Sequence, residues 1–362
     1  MTIVHNKIIC ISNIGFNTMR EGVLLMNIGT PDHPTVESVR EYLREFLLDP
    51  DVIDIPAPLR HLLVRGIILR TRPKKIAPNY QSIWMEEGSP LRVYTQRMTD
   101  ALEKILNDIP CEVGMRYGNP SIRLGLEKLR QKGVERLLLA PLFPQYAQAT
   151  TVSSIKCATK ELKEMNWMPE ILELGHFESD DEYIDPLVSS IKTHMDENCH
   201  LLFSYHGLPL SHIRRADSTG KHCQKMDNCC SLIDDANSSC YAHHCMMTTL
   251  AVTKKLGLRD SSWSISYQSR LGPVKWLRPS TIEMVEELAQ KKIEKLIIIS
   301  PAFLADGLET LEELDIEIRE HYAEQGGGKL EVISCLNDNS DWIQGLSSLV
   351  KKRFSTLPLM ES

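Results

Sequence analysis

The sequence predicts an α/β fold: two similar Rossmann-like, doubly wound domains with parallel sheets and a cleft between them. Three observations carry it. Apolar runs end in turns of repeated form: 23–26 leads into Asn27-Ile28-Gly29-Thr30-Pro31, and 201–203 into Ser204-Tyr205-His206-Gly207-Leu208-Pro209. Residues 134–143 echo residues 293–303, each with a basic edge, a continuous apolar strand, a proline and a phenylalanine. Segments with helical spacing separate the strands, and this alternation implies parallel sheets with right-handed crossovers. Continuous apolar strands are buried on both faces, as parallel strands are.

The elements follow in order. Residues 1–21 read as a poorly ordered extension, lacking the long apolar stretch of a secretory signal and the arginine-rich pattern of a transit peptide. A first domain spans 22–175. Its segment 56–75 interleaves Leu59, Leu62, Leu63, Val64, Ile67, Ile68 and Leu69 with Arg60, His61, Arg65, Arg70, Arg72, Lys74 and Lys75. That pattern suits a core helix with a basic rim, or an exposed lip that admits a greasy ligand or touches acidic lipid. A strand at 112–115 runs into a turn at 116–120, followed by a helix at 121–132 and the strand within 134–143. The boundary falls near 174–178, before a helix at 184–195. The second domain spans 176–336 and carries a cysteine-rich insert at 217–245. Its strand 263–266 precedes the turn 267–273 and a helix at 281–291. The last segment, 337–362, holds a helix at 342–354 that packs back on the first domain.

Composition narrows the function. Of 362 residues, 42% are apolar and 25% charged, ordinary for a soluble protein, and the net charge of -7 argues against a general nucleic-acid binder. No apolar run is long enough to span a membrane as a helix. No Gly-x-Ser-x-Gly elbow is present. Thr219-Gly220-Lys221-His222 lacks the upstream glycine of a P-loop, Arg215 standing there, and no Gly-x-Gly-x-x-Gly opens a helix. A nucleotide cofactor is therefore not expected.

Candidate chemistry gathers at strand ends, where open α/β sheets bind ligands. His206 follows the apolar run 201–203. A lone histidine there is more often structural, so its case rests on what joins it. Asp306 and Glu309, three residues apart, resemble a capping box. Glu309 and Glu313 share a helix face, either a solvated acidic face or a wall of the cleft opposite His206. One histidine and two carboxylates there would relay protons or hold a divalent cation. Five of the ten cysteines, Cys223, Cys229, Cys230, Cys240 and Cys245, crowd into 23 positions. A local cluster in a chain without an export signal favours a metal centre over disulfides. The adjacent pair suits a two-iron cluster, while zinc, with His222, His243 and His244 nearby, stays open.

Seven strings occur in order: 25–31, 88–91, 115–120, 141–146, 204–209, 267–273 and 306–315. Over about residues 22–350 they resemble the ferrochelatase family, lyases that complete haem synthesis. The resemblance implies insertion of Fe(II) into protoporphyrin IX with release of two protons, on two Rossmann-like domains without a nucleotide. A flat macrocycle metallates slowly; a cleft that bends it exposes a nitrogen lone pair, and a base near neutral pH takes the proton. His206 matches the family's essential histidine, pyrrole-proton acceptor or metal ligand, and Glu309 matches the carboxylate across the macrocycle. Glu313 and Asp306 match its acidic neighbours. Ile28, Arg70, Arg72, Ser89, Arg116, Tyr117, Tyr146 and Trp276 match positions lining the porphyrin site.

The stretch 56–70 matches the lip by which the family sits on a membrane surface, so a cytoplasmic protein held at the inner face of the cell membrane is expected. Many relatives carry a second histidine where this chain has Gly307. The cysteine insert resembles that of a bacterial subgroup binding a [2Fe-2S] cluster, which implies Cys223, Cys229, Cys230 and Cys240 as ligands. Cys245 matches a cysteine of cluster-free members. Coproporphyrin as substrate, cobalt insertion into an isobacteriochlorin, and a non-catalytic haem or iron sensor are the alternatives. No long C-terminal extension of the kind that supports dimers in some relatives is expected, and a homodimer stays open.

Overall fold

Two four-stranded parallel sheets carry the chain, and both have the same strand order. The computed structural model describes residues 19–355 except 197, 226, 227, 233, 234, 271 and 273. The extension expected over 1–21 lies, through residue 18, outside the described residues.

In the first half, β1 (Glu21–Thr30), α1 (Val36–Leu48), α2 (Ala57–Leu63) and α3 (Leu69–Ile83) precede α4 (Pro90–Leu106) and β2 (Cys111–Gly118). Then come α5 (Ile122–Gln131), β3 (Arg136–Pro141), α6 (Ser153–Glu164) and β4 (Glu170–Glu173). The second half holds α7 (Asp181–Lys192), β5 (Cys199–His206), α8 (Leu210–Ala216), α9 (Tyr241–Leu256), β6 (Trp263–Gln268) and α10 (Thr281–Gln290). It continues through β7 (Lys295–Ile299), a π-helix (Glu309–Ile318) running into α11 (Arg319–Glu324), and β8 (Lys329–Val332), and α12 (Ser340–Ser355) is the last described element. The sheet orders are β2-β1-β3-β4 and β6-β5-β7-β8, so the internal echo of the sequence is an echo of topology.

Alternation along the strands builds the core. Leu24, Met26, Leu137 and Leu139 face α5 and α6, while Leu202, Leu296 and Ile298 face α10 and the π-helix. The opposite faces share one core: Val23, Leu25, Leu138 and Ala140 join Leu201, Phe203, Ile297 and Ile299 around the fully buried Trp342 of α12. That helix packs on α4, α7, β3 and β4. The two sheets are thereby fixed against each other, and their carboxyl ends are free to frame a site.

Three expectations change. Strands β2 and β5 run further than the apolar pattern suggested, because parallel pairing continues: Tyr117 aligns with Gly29 and His206 with Gln268. Arg116, Tyr117 and His206 thus stand on strand ends rather than in turns. The capping box expected at Asp306 and Glu309 does not form; the Thr310 hydroxyl takes Asp306 instead, at 2.9 Å. A true capping box opens α10, between Ser280 and Glu283. In the lip, Val64 and Leu69 are buried, whereas Leu59, Leu62 and Ile67 are 57%, 68% and 60% exposed. Arg60 leaves the basic rim for the interior, where it donates to the carbonyls of Ile53 and Ile55.

Candidate active site

His206 ends the central strand of the second sheet. Its Nδ1 is buried and has no hydrogen-bond partner among the described residues, and the Phe303 ring stands edge-on to the imidazole at 6.2 Å. Burial holds the imidazole down at about 4, so it is neutral at physiological pH. The next residue must be glycine: a Cβ at Gly207 would lie 2.9 Å from the Gln268 carbonyl and 3.4 Å from the Trp276 ring. Trp276 Nε1 is likewise buried without a partner. Buried polar atoms are nearly always satisfied, and two orphans at one strand end mark a place for a ligand.

Gln268 ties this edge together. Its Oε1 accepts from Ser204 Oγ at 2.6 Å, and its Nε2 donates to the Glu309 carbonyl at 3.1 Å. The first turn of the π-helix is thus bound to the end of β6, beside His206. Glu309 is raised by burial. Glu313 is pushed up to about 7, first by burial and then by the Glu309 charge, and its Oε2 accepts from Ser269 Oγ at 2.5 Å. Asp306 is different. Its carboxylate already takes Thr310 Oγ1, the Cys335 amide and Asn337 Nδ2, at 2.7 to 3.1 Å, which makes it a loop anchor. A Cβ on Gly307 would sit 3.4 Å from Glu309 Oε2, so this position adjoins the carboxylate and leaves it room.

The first half supplies the facing wall. Burial and then the Glu309 charge raise the phenol of Tyr80, burial, Tyr80 and then Glu309 raise that of Tyr42, and Asn79 Nδ2 donates to Glu312 Oε1 at 2.5 Å. Ile28 is half-buried on the core that holds Tyr42 and Tyr80. It lies within β1, two residues from its end, and is followed by an obligatory glycine: at Gly29 φ is +104°, and a Cβ would lie 1.8 Å from the Tyr117 carbonyl. Ser89 is buried and bonds Thr30 at 2.7 Å. Arg70 is exposed and Arg72 half-exposed on the lip helix α3. Tyr117 is buried, its hydroxyl on Asp49 at 2.8 Å, so its role is to pack and to hold its neighbour Arg116.

Helix α9 joins the halves. Gln145 Nε2 donates to Thr248 Oγ1 at 2.9 Å, and the Tyr146 amide donates to His244 Nδ1 at 3.1 Å. Tyr146 itself is half-buried and lines a cavity of about 310 Å³ with Leu208, His212, Arg215 and Tyr241. His176, Glu178 and His244 also converge within metal-ligand range. The amide of Tyr146 fixes the His244 tautomer, however. Nδ1 accepts, so Nε2 carries the proton and gives it to the Ser238 carbonyl at 2.9 Å. Neither nitrogen then offers a lone pair to a cation, and the trio reads as a strut.

The four expected cysteine ligands approach one another in pairs on the insert and at the start of α9. Cys223, Cys229 and Cys240 are buried and Cys230 half-buried. The sulfurs of Cys229 and Cys230 lie 3.9 Å apart, and Cys240 interacts with both Cys230 and Cys223. Cys240 caps α9. Its pairing with Cys230 lowers the Cys240 thiol against the opposing effect of burial. Asp217 shapes the insert by accepting the amides of Thr219, Gly220, His222 and Cys223 at 2.8 to 3.0 Å. His243 Nδ1 bonds the Cys230 carbonyl and His222 Nε2 the Cys229 carbonyl, so these histidines brace the loop that presents the sulfurs.

Two parallel sheets of one strand order, with a neutral histidine and a buried carboxylate pair at one strand edge, suit a chelatase-type protein. The fold is also that of SirB from Bacillus subtilis, solved with Fe3+: TM-score 0.52 at 12% identity, covering 93% of this chain and 96% of that one. The chain belongs to the ferrochelatase family, whose family model, described as Ferrochelatase, matches residues 20–354. It is 41% identical to a ferrochelatase of Stutzerimonas stutzeri over 92% of this chain and 98% of the relative. A ferrochelatase of Ectopseudomonas mendocina is 42% identical over 91% and 97%. One of Coxiella burnetii is 40% identical over 93% and 94%.

Proposed function

We propose that the protein inserts Fe(II) into protoporphyrin IX, releasing two protons and forming protohaem. The observation that carries this reading is the unpartnered, neutral His206 on the same sheet edge as the Glu309–Glu313 pair. A neutral imidazole with an unsatisfied nitrogen accepts a pyrrole proton. Glu313, pushed up to about 7, and Glu309, raised by burial, receive the divalent ion when ionised and take up protons as the macrocycle releases them. Asp306 fixes the loop that presents Glu309. Arg70, Arg72, Arg116 and Trp276 bind the porphyrin, with Ile28, Ser89, Tyr117 and Tyr146 shaping its cleft. The outward Leu59, Leu62 and Ile67 among basic residues seat the lip on the inner face of the cell membrane. No described helix is long and apolar enough to cross a membrane.

One anaerobic experiment tests these points together. Fe(II) is supplied with protoporphyrin or coproporphyrin, and the protein is floated with anionic or neutral vesicles. Faster turnover of protoporphyrin and flotation with anionic vesicles are expected. Preference for coproporphyrin would transfer the reading to that substrate. Tight haem retention with no turnover would make the protein a sensor.

Cys223, Cys229, Cys230 and Cys240 would hold a [2Fe-2S] cluster, four thiolates serving two irons. Four cysteines on one insert, with the Cys229 and Cys230 sulfurs 3.9 Å apart and Cys240 paired with Cys230 and Cys223, fit that group. Such a cluster, when bound, supplies one-electron redox chemistry. Anaerobically purified protein should contain two irons and two sulfides per chain. A colourless protein with one zinc per chain would overturn the assignment.

A further inference from the structure

Three elements meet at one carboxylate in the first half. Asp49, the residue that ends α1, has a side chain only 5% exposed. Its Oδ2 accepts from Arg116 Nη2, from Tyr117 OH at 2.8 Å and from Ser153 Oγ at 2.7 Å. Its Oδ1 accepts the Asp51 amide at 2.8 Å. Ser153, at the start of α6, returns the contact: its Oγ accepts Arg116 Nε at 2.7 Å and its carbonyl accepts the same hydrogen at 3.1 Å. The guanidinium lies 4.4 Å over the Tyr117 ring. Nη1 of Arg116 has no hydrogen bond among the described residues.

We infer that Asp49 is a positioning residue for porphyrin binding: it locks Arg116 in one rotamer so that Nη1 is presented to a carboxylate of the macrocycle. The inference rests on the porphyrin reading above. A free arginine must be ordered as its ligand arrives, whereas one held at Nε and Nη2 is ordered beforehand. Charge alone predicts the opposite sign. Removing the Asp49 charge leaves the site more positive overall, which would tighten its hold on an anionic porphyrin. Loss of positioning weakens it.

Asp49→Asn separates the two. The amide keeps the shape, but in either orientation it turns a donor toward a donor, Arg116 Nη2 or the Asp51 amide. Protoporphyrin binding, read by quenching of its fluorescence, should weaken about tenfold, with the porphyrin KM rising alike and kcat within about twofold. Ser153→Ala, which removes the Oγ contact to Nε, should shift binding in the same direction by less, and it carries the test should Asp49→Asn fail to fold. Unchanged or tighter binding in the soluble variants, with any loss confined to melting temperature, would overturn the role of Asp49. Absence of quenching by the wild type would overturn the porphyrin reading and this role with it.

Discussion

His206→Ala is expected to lower kcat for Fe(II) insertion by about 10²- to 10⁴-fold, the range a positioned general base contributes. The porphyrin KM should barely move, because the imidazole meets only the reacting centre. Three features of the site set this expectation. The ring is held neutral, at about 4, by burial alone. Its Nδ1 has no hydrogen-bond partner among the described residues. The position where many relatives carry a second histidine is Gly307, whose replacement side chain would start 3.4 Å from Glu309 Oε2. Position 307 therefore offers no imidazole to compensate. The Fe(II) KM distinguishes the two roles of a histidine here. A proton acceptor lost to alanine leaves it unchanged and allows partial rescue by added imidazole. A metal ligand lost to alanine raises it. Full activity in the variant would remove His206 from the mechanism.

What made His206 legible in the sequence was its place after an apolar run, inside an ordered set of family strings. The strands were legible for the same reason. Runs such as Leu137–Leu139 and Ile297–Ile298 are wholly buried, and only a doubly covered parallel strand needs apolar residues at every position. The site's supports were harder to see, because each joins positions far apart in the chain. Asp49 reaches Arg116 and Ser153, Gln268 reaches Ser204 and Glu309, and Asn79 reaches Glu312. Spacing carries no trace of such bonds. Gln268 alone had a signal, since it lies within a recognised string. The Asp306–Glu309 capping box failed for a local reason: Thr310 offers a shorter donor one residue on, and Asn337 fills the other carboxylate oxygen. The cysteine cluster was legible as a metal centre, but histidines beside it kept zinc open. Only the folded loop shows two of them, His222 and His243, bonded to backbone carbonyls.

Glu313→Gln is expected to lose activity and gain stability, with the sign of the stability change set by pH. Burial, then the Glu309 charge, pushes Glu313 up to about 7 from an ordinary 4.5. Between those values the folded protein keeps a proton that the unfolded chain has released. The resulting stability is full below the unfolded value and is lost as pH rises through the folded one. Glutamine is neutral in both states and retains an oxygen for Ser269. Wild type and variant should therefore melt alike near pH ~4.5, and at pH ~8 the variant should melt a few degrees higher, for ~1–3 kcal/mol. Turnover should fall about 10²-fold at neutral pH, and the acid limb near 7 should vanish, since no group is left there to titrate. Glu309→Gln should behave differently. It removes the second cause of the Glu313 shift but not the first, so the limb should move to lower pH and persist. A limb that stays near 7 in both variants would assign it to a group outside the pair.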